Sequence, residues 1–168
     1  MTLGGLLDNC RQLQRDMTQG TIIREVLEPH DKEIVDLQRT QLLMGKGSNG
    51  EDIHPFYTED LKPQGYFRTV KSAENYRAWK QTINYPKNVQ RNPNAPNLYI
   101  TGVFHDDLNV SFGYDSLQII PDTAYAANIM RKYGMHIFGL NGQSWAVIWK
   151  EKGAKSELIT KMKETLWQ

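Results

Sequence analysis

A chain of 168 residues is a comfortable size for one domain and tight for two. Its single cysteine, Cys10, excludes an intrachain disulfide and a cysteine-rich zinc site, and fits a reducing compartment. The first 17 residues lack the basic start and apolar run of a secretory signal, and no segment approaches the roughly 20 apolar residues of a membrane helix, so the expectation is a protein of the cytoplasm with no membrane partner.

Apolar residues make up 39% of the chain and mean hydropathy is −0.59, so much of it is expected to be loop or interface. The net charge of +1 hides an uneven distribution. Residues 62–91 carry seven cations (Lys62, Arg68, Lys71, Arg77, Lys80, Lys87, Arg91) and one anion, Glu74. Residues 92–128 carry four aspartates (Asp106, Asp107, Asp115, Asp122) and no Lys or Arg, and residues 129–168 turn basic again. Blocks of opposite sign are either solvated faces or complementary surfaces that fix register between subunits.

In chain order, Leu6, Leu7, Cys10, Leu13 and Met17 recur at helical spacing, which predicts a helix over 4–18 with Cys10 as a small buried residue. A longer helical pattern runs from Thr21, a candidate N-cap, through Leu42, kinked or divided at Pro29 and stopped at Gly45. Residues 51–68 read as extended and irregular. A short helix is predicted over 71–83, with Ala73, Tyr76, Trp79, Lys80 and Ile83 on one face. Pro86, Pro93, Pro96 and the asparagines Asn84, Asn88, Asn92 and Asn94 then mark 84–97 as a long connection. Strands are predicted over 98–104, 109–113 and 117–120. Asp122 is placed as the cap of a helix ending at Gly134, residues 144–149 fit strand or helix, and Leu158, Ile159, Met162 and Leu166 define a last amphipathic helix.

The resulting expectation is a single α+β domain over 1–168: a small antiparallel sheet packed against several helices, with long irregular loops. N-terminal helices occupy 1–45, a core of strands plus helix 97–142, and a C-terminal helix 154–168.

Templates for chemistry find little purchase. Gly45-Lys46-Gly47-Ser48 has the wrong spacing for a phosphate loop and follows a helix, where that loop follows a strand. His105-Asp106-Asp107 could begin a metal or acid–base cluster, yet reads more simply as a polar turn between antiparallel strands. No catalytic, cofactor-binding or metal-ligating residue is assigned, and no cofactor is expected. Tyr76, Trp79 and Tyr85 inside the basic block could stack on single-stranded nucleic acid, which keeps open an accessory nucleic-acid-binding role for 62–91.

One further pattern covers about residues 38–142. Gly50 to Pro55 lead to Tyr57-Thr58; Pro96-Asn97-Leu98-Tyr99-Ile100-Thr101-Gly102-Val103-Phe104 follow the Lys/Tyr/Trp helix; then come Ala126, Ile129, Lys132-Tyr133-Gly134 and Ile137-Phe138-Gly139-Leu140. This order resembles the small neck and tail-completion (virion morphogenesis-like) proteins of tailed bacteriophages, although Ile137 stands where that group carries an arginine. The resemblance implies a non-enzymatic structural protein of the virion, assembled in the host bacterial cytoplasm. It implies a homo-oligomeric ring at the head–tail junction, in contact with portal, connector or tail proteins and with genome DNA in its lumen. On that view Lys71, Arg77, Lys80, Lys87 and Arg91 face Asp106, Asp107 and Asp115 of the next subunit, or those aspartates face the channel and keep DNA from sticking, and the segments 45–68 and 84–97 order against a neighbour.

Overall fold

The computed structural model describes residues 2–114, 116–124 and 126–167. The chain is an α+β fold in which helices enclose one two-stranded antiparallel sheet. Helix α1 (Leu3–Thr18) starts where the Thr2 hydroxyl accepts from the Gly5 N–H, and it packs with α2 (Thr21–Leu27) on the C-terminal helix α8 (Ala154–Leu166). Gly20, not Thr21, caps α2: its φ of 68° lies in the left-handed region that glycine enters without penalty. Pro29 sits in a single 3₁₀ turn that joins α2 to α3 (Asp31–Leu43).

The hairpin pairs β1 (Leu108–Phe112) with β2 (Leu117–Pro121), Val110 opposite Ile119. Strand alternation turns Leu108 and Ile119 into the core and leaves Asn109, Ser111 and Gln118 outside. They meet Val26, Ile34, Leu42, Ile137 and Ile148 in one continuous apolar core. Residues 144–149 resolve as helix: α7 (Gly142–Ala146), capped by the Asn141 side chain, runs into a π turn over Val147–Glu151. Among the described residues no helix is long and apolar enough to cross a membrane.

Four expectations need correction. First, residues 98–104 form no strand. Asn97 Oδ1 accepts the Tyr99 N–H at 3.3 Å, Leu98 takes φ 54°, Gly102 takes φ 96°, and α5 (Val103–Asp106) follows. An Asx turn with two left-handed residues overrides the β propensity of Leu-Tyr-Ile. His105 and Asp106 therefore belong to a helical turn that Asp107 ends, rather than to a turn between strands. Second, Cys10 is exposed: of the apolar stripe of α1 the rest of the chain buries Leu13 and leaves Cys10, one turn earlier, in water. Third, Asp122 caps no helix. Its N–H donates to the Asp107 carbonyl at 3.1 Å, and α6 (Ala126–Tyr133) begins later.

Fourth, the segments 45–68 and 84–97 are ordered by their own chain. Ile53 is fully buried in the main core, and Tyr57 and Phe67 pack with Ala73 and Tyr76 of α4 (Val70–Gln81) in a second cluster. Buried Asp60 pairs with Lys132 of α6, and Asn92 donates to Asp52 at 2.7 Å. Lys46 of the glycine-rich turn is held by Asp52 at 2.9 Å.

A groove with a buried lysine

Helix α4 begins with a reciprocal cap, Thr69 and Ser72 each accepting the other's N–H at 3.2 Å. Ala73, Tyr76 and Lys80 then fall on one face at spacings of three and four, so whatever buries Ala73 also buries Lys80. Ala73 is fully buried and Lys80 is 1% exposed.

The chain after α4 folds back over its end. Tyr85 donates its hydroxyl to the Lys80 carbonyl at 2.7 Å, and Arg91 donates to the same carbonyl, to Tyr85 Oη and to Gln81 Oε1. The Arg91 guanidinium lies 4.3 Å from the Tyr85 ring centroid. Arg77 donates to Asn94 Oδ1 at 2.7 Å, and the Asn94 carbonyl accepts from the Tyr57 N–H. These bonds place residues 96–104 across α4 and α6.

The result is an open groove of about 440 Å³. Pro96, Leu98, Ile100, Val103, Phe104 and Ile129 supply its apolar walls. Tyr57, Tyr76, Tyr133 and Lys80 supply its polar groups. Ile100 and Val103 are half exposed at its rim. Leu98, with its left-handed φ, is an L-residue in a conformation few adopt, held there by the structure around it.

Three buried polar side chains gather behind this wall. The Lys80 ammonium donates to the Tyr99 carbonyl. His105 Nε2 meets the Asn97 carbonyl at 2.9 Å, and its ring stands edge-on to Tyr99. Asn97 Nδ2 and His105 Nδ1 find no partner among the described residues. Burial pushes Lys80 down to about 8, with Arg91 adding to the effect, and pushes His105 down to about 4 against the hydrogen bond to Asn97. The same desolvation raises Tyr57, Tyr76 and Tyr133, so all three phenols stay protonated at neutral pH.

The expected interface residues are dispersed by this arrangement. Lys71 is exposed on α4. Lys87 turns back to Asp36 and Thr40 of α3. Arg77 and Arg91 are spent on the chain's own loop, and Lys80 is no surface cation at all. Asp106 is exposed at the end of α5, Asp107 is half-buried, and Asp115 lies outside the described residues. Lys80 and Arg91 are thus brought together, while Lys62, Arg68 and Lys71 stay exposed and Arg77, Lys87 and Arg91 are half-buried. Among the described residues no three His, Cys, Asp or Glu side chains gather as a metal site.

Tyr57, Leu98, Ile129 and Tyr133 stand within the motif order over residues 38–142, but nothing in that order marks them as the lining of one groove. A usable signal was the lysine itself, on the same helical face as Ala73 and Tyr76. Comparison with protein-family models, with curated proteins and with solved structures finds no match to this chain.

Proposed function

We propose that this chain is a structural protein of a tailed-bacteriophage virion, a subunit of the neck or tail-completion ring at the head–tail junction, with no catalytic role. The observation that carries the reading is the bare apolar seam on α1. Leu3, Leu7, Cys10 and Met17, separated by four, three and seven residues, lie along one stripe of that helix. Leu3 is 79% exposed and Leu7 and Met17 are each 48% exposed, while Leu13, at the edge of the same stripe, is buried. Such spacing is the pattern of a helix–helix contact, and a protein that leaves it open has kept it for another chain.

The order of motifs over residues 38–142 supplies the kind of assembly. In a ring each subunit presents one patch to its neighbour and receives a different one, so a seam on α1 needs a partner surface elsewhere on the next copy. Portal, connector or tail proteins would border the ring above and below, and genome DNA would pass through its lumen.

Mass spectrometry and electron microscopy of purified particles test this. The chain is expected in intact virions, with density for a ring at the head–tail junction; its absence from purified particles ends the reading. A Leu3→Ser, Leu7→Ser double variant is expected to fold, since both side chains are already in water, and to be missing from particles. Normal incorporation of that variant would remove the α1 seam from the interface.

A further inference from the structure

Lys80 is a charged side chain that the fold has buried without a counter-ion. Among the described residues no carboxylate pairs with it; its polar contact is the Tyr99 carbonyl, and the Tyr85 ring lies 6.0 Å away. An ammonium carries three N–H donors, so two are left over. The neighbouring cation, Arg91, donates to Tyr85, Gln81 and the Lys80 carbonyl and does not line the groove. Proteins rarely keep a buried charge in this state, because the cost of removing it from water is recovered only by an ion pair or further hydrogen bonds.

The side chain lines the groove, and Lys80 is the one charged residue in a lining of aliphatic side chains, tyrosines, Phe104, Gly102 and Thr101. We propose that this groove binds a carboxylate carried on an aliphatic body, the carboxylate pairing with the Lys80 ammonium and the aliphatic part lying along Leu98, Ile100, Val103 and Ile129. A single negative charge matches the one cation that lines the groove. A phosphate dianion would bring a second charge with no second cation in the lining to meet it. Tyr57, Tyr76 and Tyr133, whose phenols stay protonated at neutral pH, belong to the same lining. A volume of about 440 Å³ lies within the range of small-ligand sites. The strained φ of Leu98 falls in the lining itself, where strain and binding sites commonly coincide.

This inference is independent of the assembly proposed above. The test is calorimetric titration of the full chain with octanoate and, as its uncharged counterpart, octanol. Octanoate is expected to bind more tightly than octanol by on the order of tenfold or more, the scale of one charge-assisted contact. In Lys80→Met that preference is expected to vanish while octanol binding persists, which shows the groove intact. Val103→Trp, at a half-exposed rim position, is expected to block both ligands without unfolding the chain. Equal affinity of the wild type for octanoate and octanol overturns the proposal, and so does a preference that survives Lys80→Met. Sedimentation with octanoate present identifies the source of the natural carboxylate. Oligomers dispersed by octanoate assign it to an acidic side chain of a second copy, and an unchanged oligomeric state assigns it to a free aliphatic acid.

Discussion

The fold treats two of its groups of buried polar side chains differently. Gln38 and Gln41 of α3 are 0% and 1% exposed, as deep as Lys80, Asn97 and His105 behind the groove. The glutamines spend their groups on backbone. Gln38 donates to the Ile137 carbonyl at 3.0 Å, and Gln41 donates to the Gly139 carbonyl and accepts the Asn141 N–H, both at 2.9 Å. Asn141 in turn caps α7, so α3 dictates the path of residues 137–144. Gln38 Oε1 is the one acceptor in this pair left unmatched. The groove set instead holds an ammonium with one acceptor, an amide nitrogen with none and a ring nitrogen with none. Neutral amides that close onto backbone are structural; a buried cation with donors to spare is matched only from outside the chain.

The largest expected effect belongs to the structural pair. Gln41→Leu keeps the volume but leaves the Gly139 carbonyl and the Asn141 N–H without partners, which costs about 3–4 kcal/mol in urea unfolding. A loss under about 1 kcal/mol would show that residues 139–144 are held by packing alone and would dissolve the contrast. His105 gives the next effect. Its ring stays neutral in the fold down to about pH 4, against 6.5 for an unperturbed histidine. Between those values the unfolded chain binds the proton and the folded one does not, so stability falls as pH falls through that window and levels off below it. The expected loss is on the order of 3 kcal/mol. In His105→Gln the decline between pH 6.5 and 4 is expected to shrink by that amount, read from urea midpoints at each pH; an unchanged decline would remove His105 as its source.

The contrast also explains what could be read beforehand. Helices α3, α4 and α8 were legible because their apolar residues repeat at helical spacing, and the hairpin because Val110 and Phe112 alternate before a glycine. Residues 98–104 were not, because Leu, Tyr and Ile favour strands and the competing Asx turn depends on which way the Asn97 side chain points. Cys10 misled for a related reason. Periodicity finds the apolar stripe of α1 but not whether this chain covers it, and here Leu13 alone is buried. The loops looked poor in apolar residues because their anchors are few and distant in sequence, Ile53 in the main core and Tyr57 and Phe67 on α4. Of the site, only the α4 face was visible: the rest of the groove is joined by Arg91, Asn92 and Asn94, whose partners lie on α4 and in the 45–68 segment.

The smallest effect has the opposite sign and separates the two regions most sharply. Lys80 titrates at about 8 in the fold and at 10.5 when unperturbed, so at neutral pH the native state bears the cost of a desolvated charge. Between those values the unfolded chain holds the proton and the folded chain has released it, so stability rises with pH across that window. Methionine has nearly the same length and no charge. Lys80→Met therefore removes the penalty and loses the hydrogen bond to Tyr99, worth about 1 kcal/mol, for a net stabilisation of about 1–2 kcal/mol at pH 7. In a chain of this size that raises Tm by roughly 3–6 °C. The alkaline rise in stability is expected to disappear from the variant as well. A lysine whose removal strengthens the fold is retained for something other than folding. A Lys80→Met chain that is less stable than the wild type would instead make Lys80 a structural cation of the same kind as the α3 glutamines, with its charge already satisfied inside the chain.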